Sequence, residues 1–163
     1  MNFTGSIRVA MADYQVAKAP AQLITTGLGS CVGIALYDPK VKVAGLAHIM
    51  LPDSKQGLPS SNEGKFADTA IVALIREMEE AGAQRIRLQA KIAGGAQMFN
   101  FADHNDHNSI GQRNVEAVQA ILGELRIPLL AEDTGGGRGR TIAFDPNSGR
   151  LVVRTVDSGE REL

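Results

Sequence analysis

Short apolar, strand-like segments recur along this sequence, and only two segments have helical periodicity. The strand-like segments are 7–17, 21–26, 31–37, 41–50, 86–93, 127–132, 141–144 and 151–156, or six to eight strands. The helical segments are 65–81 and about 110–125, the second opening on a capping-box pattern of Ser109 and Gln112. Because the strands follow one another in hairpins and do not alternate strictly with helices, their order predicts an α+β fold with a mostly antiparallel sheet.

Composition and length exclude several classes of protein. Lys and Arg number 17 against 18 Asp and Glu, so there is no excess of positive charge to hold a nucleic acid or an anionic membrane. A single cysteine excludes an intrachain disulfide framework and a cysteine-based zinc cage. The 163 residues contain no repeat and no low-complexity linker, which predicts a single domain spanning 1–163.

The sequence has no targeting or cofactor-binding pattern. Its first residues lack a basic region followed by an apolar one, and no apolar run reaches the roughly 18 residues that span a bilayer. We therefore expect a cytoplasmic protein without membrane insertion, in which the thiol stays reduced. The glycines of segment 27–30 do not form a dinucleotide fingerprint, and we expect no cofactor.

Cys31 begins a predicted strand directly after the glycine-bearing turn 27–30, which places it at the rim of the sheet. A thiol reacts as the thiolate and needs a base nearby. If the turn between strands 31–37 and 41–50 is centred on Pro39 and Lys40, Cys31 lies directly opposite His48. A four-residue loop about the same centre keeps that pairing, whereas a loop of three or five residues separates the two side chains.

Other interpretations of these two residues remain open. A lone cysteine in an apolar strand is ordinarily a small buried hydrophobic residue, and a histidine there is ordinarily a hydrogen-bonded structural one. The joint occurrence of Cys31 and His48 in one hairpin makes a nucleophile with its base an equal alternative. A thiol redox sensor is a third interpretation, although no second cysteine is present to resolve a sulfenic acid.

Six short motifs then occur in order along the chain. They are TTGLGSCV at 25–32, AHIMLP at 47–52, GKFADTA at 64–70, KIAGGA at 91–96, GQRN at 111–114 and AEDTGG at 131–136. Together they resemble the chemoreceptor glutamine deamidase family CheD, over about residues 7–156. The ordered set is highly specific, although each motif alone is weak.

The resemblance implies a layered α/β/β sandwich with two main helices and a protein-glutamine glutaminase activity. It implies a catalytic cysteine at Cys31, a histidine at His48 and a threonine at Thr25, with the neighbouring Thr26 as the alternative. The implied substrates are glutamine side chains on the cytoplasmic helices of methyl-accepting chemotaxis receptors. The implied partner is a CheC-type phosphatase, and the alternative function is a non-catalytic docking partner that binds and stimulates that phosphatase.

The chemistry of these residue types fits the implied reaction. The Cys31 thiolate attacks the glutamine amide, His48 moves the proton, and Thr25 fixes the orientation of the imidazole. Receptor methyl esters fit the same path, because methanol leaves more easily than ammonia. We expect the backbone N–H groups of Ser30 and Cys31 to stabilise the oxyanion. The positions at which the backbone is expected to approach the substrate are Gly29, Gly94 and Gly95.

The polar segment 103–108 holds His104 and His107 three residues apart, with two nearby carboxylates. Such a cluster in a loop is a weak metal-binding pattern. We expect a solvated loop and no metal site.

Overall fold

The computed structural model describes residues 5–56, 62–98 and 109–163. The described residues form two five-stranded sheets and two α-helices. The first sheet contains, in spatial order, β1 (Ser6–Arg8), β3 (Gln22–Leu28), β8 (Arg140–Asp145), β9 (Arg150–Thr155) and β10 (Gly159–Glu162). The second contains β2 (Asp13–Lys18), β5 (Val43–Ile49), β4 (Val32–Asp38), β6 (Gln89–Gly94) and β7 (Leu129–Thr134). The helices are α1 (Ala67–Glu80) and α2 (Ile110–Glu124), and short 3-10 turns lie at Ser54–Gln56, Glu63–Lys65 and Arg85–Arg87.

The second sheet is the middle layer of the molecule, and we call it the central sheet; the first is the outer sheet. On one face of the central sheet, Ile34 lies in a buried cluster with Leu74 of α1 and Val118 of α2. On the other face, Leu46 lies in a second buried cluster with Ile142 of the outer sheet. Only the pairs β1–β3 and β6–β7 are parallel among the described strands. The predicted layered α/β/β sandwich with mostly antiparallel strands is confirmed.

Burial on both faces explains the continuous apolar sequence of the central hairpin. All seven residues of β4 and all seven of β5 are buried. A strand covered by helices on one side and by a second sheet on the other has no solvated face to carry polar residues. His48 on β5 and Cys31, directly before β4, therefore lie in the middle layer.

The two predicted helices are present. Helix α1 begins two residues later and ends one residue earlier than predicted, and α2 ends one residue earlier. In α1 the buried side chains recur at helical spacing, and the chain leaves the helix through Gly82 at a φ of 108°. In α2 the Ser109 hydroxyl accepts the Gln112 N–H at 3.1 Å, as predicted. The Gln112 side chain does not return to Ser109 but donates to Glu116 at 3.1 Å, so only half of the capping box forms. No helix within the described ranges is long and apolar enough to cross a membrane.

Several predicted strand bounds were wrong. Segment 7–17 is not one edge strand but parts of β1 and β2, which lie in different sheets and are separated by a turn at Ala12 with a φ of 63°. Segment 86–93 begins as a 3-10 turn that leaves Ile86 90% exposed, and the strand starts only at Gln89. Strand β10 was not predicted, because its residues are glycine and charged side chains, all exposed.

The register of the central hairpin differs from the predicted one by two residues. Asp38 pairs with Val43, because the buried Asp38 carboxylate accepts N–H groups from Lys40, Gln84 and Arg87 and so ends the strand there. His48 therefore lies opposite Gly33, and the prediction that it lies directly opposite Cys31 is wrong. An even shift keeps every side chain on its predicted face, so both residues still point towards the outer sheet.

Candidate active site

Thr25 and His48 join the two sheets through their side chains. Thr25 lies on β3 of the outer sheet and His48 on β5 of the central sheet, and both are fully buried. The Thr25 Oγ1 to His48 Nδ1 distance is 2.7 Å. The neighbouring Thr26 is exposed. Of the two adjacent threonines, Thr25 is therefore the one that contacts the imidazole.

A third group, the backbone carbonyl of Val9, decides which way this hydrogen bond runs. Thr25 Oγ1 lies 2.7 Å from Val9 O, and a carbonyl oxygen only accepts. The single hydroxyl proton of Thr25 therefore goes to Val9, and Thr25 accepts the Nδ1–H of His48. Burial lowers the pKa of His48 to about 4, so the ring is neutral at pH 7 and its Nε2 carries the lone pair.

That Nε2 lone pair is buried without a hydrogen-bond partner among the described residues. Burying an unsatisfied acceptor costs roughly 1–3 kcal/mol, and such a group in a folded protein is often kept for chemistry. The imidazole is thus oriented at Nδ1 and bare at Nε2, which is the state of a general base before it takes a proton.

Cys31 precedes β4 and is 7% exposed. Its side chain lies in the buried cluster between the sheets, together with Leu28 and Ala93. Because His48 pairs with Gly33, Cys31 and His48 are diagonal neighbours on one face, for which Cα atoms are typically about 7–8 Å apart. No hydrogen bond joins the sulfur to Nε2. Burial raises the pKa of the Cys31 thiol, and a hydrogen bond from its own backbone N–H acts against that rise.

The glycines predicted near the substrate surround the backbone of Cys31. Gly95 N–H donates to the Cys31 carbonyl at 2.8 Å, and Ala96 N–H donates to the Gly29 carbonyl at 2.8 Å. Gly94 has a φ of 115°, and a Cβ there would lie 2.3 Å from the Cys31 carbonyl oxygen. Both glycines are buried; the close approach that Gly94 permits is to Cys31, whereas the one that Gly95 permits is to Gly111 and Val115 of α2.

A β-bulge lies beside Thr25. The pairing of β3 with β8 shifts between Thr25 and Leu28, and Gly27 within the bulge has a φ of 74°. Segment 27–30, predicted as a turn that ends the strand at Thr26, is thus partly strand, and β3 continues to Leu28. Bulges redirect side chains and are frequent next to active sites.

Two further buried polar residues, to which the sequence reasoning gave no catalytic role, donate to backbone carbonyls in this region. Asn114 on α2 is fully buried and donates to the carbonyls of Ser30 and Met50. Arg140 is 7% exposed and donates to the Gly94 and Gly135 carbonyls and to Asp133. A polar residue within the apolar stripe of α2 was the available signal for Asn114.

The expected oxyanion donors, the backbone N–H groups of Ser30 and Cys31, adjoin the thiol. Ser30 is half-buried, beside the buried Cys31. Backbone N–H groups next to a nucleophile are the donors from which an oxyanion hole is made.

A cavity lies beside Gly95. It has a volume of about 670 Å³ between α2 and the segment after β7, and includes Gly95, Gln112 and Glu132 but neither Cys31 nor His48. Within the described ranges no three potential metal ligands cluster together. The 103–108 segment lies outside the described residues.

Comparison with known proteins gives consistent results. The family model described as CheD chemotactic sensory transduction matches residues 50–155, a range that begins just after His48. The chain is 56% identical over 158 residues to the chemoreceptor glutamine deamidase CheD of Halalkalibacterium halodurans, covering 96% of this chain and 98% of that protein. It is 57% identical over 155 residues to the probable chemoreceptor glutamine deamidase CheD of Syntrophomonas wolfei, covering 95% and 96%. A protein of the same description from Clostridium novyi is 54% identical over 157 residues, covering 96% and 97%.

Proposed function

The chain belongs to the CheD family of chemotactic sensory transduction proteins, and from that premise we propose that it is a chemoreceptor glutamine deamidase. It converts glutamine side chains on the cytoplasmic helices of methyl-accepting chemotaxis receptors to glutamate, with release of ammonia. Residues 1–163 act as a single deamidase domain. The observation that carries the proposal is the Thr25–His48 hydrogen bond, which leaves a bare imidazole nitrogen on the face that also bears the cysteine.

In the first half of the reaction Cys31 acts as the nucleophile. His48 Nε2 takes the thiol proton, and the sulfur forms a bond to the amide carbon of the glutamine side chain. The oxyanion of the tetrahedral intermediate accepts the N–H groups of Ser30 and Cys31. Nε2 then returns the proton to the departing nitrogen as the carbon–nitrogen bond breaks, leaving a thioester and ammonia.

In the second half a water molecule attacks the thioester. Nε2 takes a proton from the water, the carbon–sulfur bond breaks, and the proton returns to the sulfur as glutamate leaves. A receptor methyl ester follows the same two halves with methanol in place of ammonia. Thr25 accepts the Nδ1–H throughout, so Nε2 is the only ring nitrogen that gains and loses a proton during the reaction.

The directions of the two pKa shifts favour proton transfer after substrate binding. Burial lowers the pKa of His48 to about 4 and raises that of Cys31, so the free enzyme holds a neutral thiol and a neutral imidazole. Burial of both groups also keeps the thiol from reacting before a receptor is bound. The glutamine amide must therefore be brought to the pair before the proton moves.

The deciding experiment uses a purified receptor cytoplasmic fragment. We expect the wild-type protein to release ammonia and to convert specific glutamines to glutamate, read out by mass spectrometry of the fragment. Cys31→Ala should do neither. Ammonia release by Cys31→Ala at the wild-type rate would disprove the thioester mechanism.

A second proposal is that the chain acts as a docking partner that stimulates a CheC-type phosphatase. The observation that favours it is the low exposure of both Cys31 and His48. The same variant separates the two functions. A Cys31→Ala protein that still stimulates the phosphatase has an adaptor role independent of catalysis.

A further inference from the structure

Asn114 is a fully buried polar side chain on α2, where the neighbouring inward positions hold Val115 and Val118. Its Nδ2 donates to the Ser30 carbonyl at 2.9 Å and to the Met50 carbonyl at 3.0 Å. Because both partners are carbonyl oxygens, the amide nitrogen must face them. Both hydrogens of the amide group are thus used on two separate segments of backbone.

Those two segments are the ends of the strands that carry the reacting groups. The last paired residues of the central hairpin are Val32 of β4 and Ile49 of β5. Ser30 directly precedes Cys31, and Met50 lies two residues after His48. The Asn114 amide therefore bridges the two chains just beyond the end of their own hydrogen-bond ladder.

The contact with Ser30 has a consequence for Cys31. The Ser30 carbonyl and the Cys31 N–H belong to one planar, trans peptide unit, so they point in opposite directions and turn together. A donor that fixes the carbonyl also fixes the N–H. Donation to the carbonyl further polarises the N–H of the same unit.

We propose that Asn114 is a positioning residue of the deamidase site, which holds the Ser30–Cys31 peptide plane and ties it to the end of β5. The inference rests on the proposed function, because it assigns the Cys31 N–H to the oxyanion and the Cys31 sulfur to the attack. Asn114 touches neither the sulfur nor the imidazole in the described structure and acts through the backbone.

The amide oxygen of the same side chain supports this role. Asn114 Oδ1 is buried and has no hydrogen-bond partner among the described residues. An apolar residue of similar volume would avoid that unsatisfied acceptor and would fill the space between α2 and the central sheet equally well. The amide is retained at a cost, which indicates that its two donors have a purpose beyond packing.

The test compares two variants of nearly unchanged size with a control on the same helix. Asn114→Leu removes the donors, and Asn114→Asp replaces them with acceptors. Val118→Ala, also fully buried on α2 but without a side-chain hydrogen bond to either carbonyl, reports the effect of loosening the helix alone. We expect both Asn114 variants to lower kcat on the receptor fragment by about ten- to a hundredfold, less than the full loss of an oxyanion donor. KM should change little, and Val118→Ala should keep the wild-type kcat.

A second readout does not depend on catalysis. The chain has one cysteine, so the ultraviolet absorbance of the thiolate, with Cys31→Ala as the baseline, titrates that residue alone. The pKa of the thiol should be higher in Asn114→Leu than in Val118→Ala, because the N–H is no longer held towards the sulfur.

An Asn114→Leu protein that melts like Val118→Ala and keeps both kcat and the thiol pKa would overturn the inference. If the wild-type protein deamidates no receptor, the proposed function fails, and the thiol titration still decides the role of Asn114. Should the buried charge of Asn114→Asp prevent folding, the comparison of Asn114→Leu with Val118→Ala carries the decision.

Discussion

The hydroxyl of Thr25 accepts a hydrogen bond from the Nδ1–H of His48 at 2.7 Å. It acts as the acceptor because its own hydrogen is donated to the Val9 carbonyl. The three groups come from the N-terminal segment, the outer sheet and the central sheet. Together they fix one tautomer of the imidazole and leave Nε2 without a hydrogen. In the proposed mechanism Nε2 acts as the base, and the hydroxyl takes the orienting role that a carboxylate has in Ser-His-Asp triads.

The first prediction concerns Thr25. Thr25→Ala removes the acceptor of Nδ1–H, so the imidazole can adopt the wrong tautomer. We expect kcat for ammonia release to fall by about ten- to a hundredfold, less than the roughly 10⁴-fold loss when a triad aspartate is replaced by asparagine. Thr25→Ser keeps the hydroxyl and should retain most of the activity.

Thr26→Ala is the matched control for that prediction, because Thr26 is the exposed neighbour on the same strand. It should leave kcat at the wild-type value. Equal losses in Thr25→Ala and Thr26→Ala would show that the strand matters only as a whole.

The second prediction is a pH dependence of stability. Burial lowers the pKa of His48 from 6.5 to about 4, so the unfolded chain takes up a proton that the folded one does not as the pH falls below 6.5. The free energy of unfolding is therefore unaffected by His48 above pH 6.5 and decreases progressively as the pH falls towards 4. At about 1.4 kcal/mol per pH unit, the loss between pH 6.5 and pH 5 is roughly 2 kcal/mol.

Urea unfolding of the wild type and of His48→Gln at both pH values isolates this contribution. The neutral variant should lose less stability on acidification than the wild type, since glutamine does not titrate. Parallel losses in the two proteins would mean that His48 is protonated in the folded state.

The third prediction separates backbone strain from steric overlap at Gly94. Gly94 and Gly82 have similar φ angles of 115° and 108°, but a Cβ meets the Cys31 carbonyl at 2.3 Å only at Gly94, whereas at Gly82 nothing lies within 4 Å. Gly82→Ala should lose about 1–2 kcal/mol from the left-handed backbone alone. Gly94→Ala should lose more and should also lose activity, because the backbone of Cys31 must move.

Thermal melts and the ammonia assay on the two glycine variants provide the measurement. Equal destabilisation with equal residual activity would show that the 94–95 segment yields without disturbing Cys31.

The fourth prediction concerns the buried Arg140, which supports the same glycine segment. Its guanidinium pairs with Asp133 at 3.1 Å and donates to the Gly94 carbonyl at 3.3 Å. Arg140→Ala leaves the Gly94 carbonyl without this donor and leaves Asp133 with only the ion pair to Arg161 at 3.6 Å, so we expect a loss of about 3 kcal/mol in the free energy of unfolding. Arg138→Ala removes an exposed arginine nearby and should cost about 0.5 kcal/mol or less. Chemical denaturation of both variants tests this; similar small losses would contradict it.

The local patterns of the sequence predicted the elements and the faces of this site. Continuous apolar runs placed Thr25 and His48 on strands and Cys31 at the start of one, and the even register shift left Cys31 and His48 on one face. The register itself was not predictable from the hairpin, because Gln84 and Arg87, far along the chain, fix the end of β4 at Asp38. A turn held by distant residues does not follow the spacing rules of isolated hairpins.

The supporting groups were missed for a related reason. The Val9 carbonyl acts on Thr25 through pairing between β1 and β3, and the Asn114 amide acts on Ser30 from the second helix. Neither contact leaves a local pattern, since one involves only backbone and the other a single amide in a helical stripe. Side-chain periodicity reports which face a residue occupies but not what it meets there.

The middle-layer position of Cys31 has a consequence for experiments on the intact protein. Because the chain's sole sulfhydryl is 7% exposed between two sheets, a bulky alkylating dye reaches it only when the layers separate. The labelling rate of the native protein therefore reports how often the two sheets open locally, and the measurement requires no engineered cysteine.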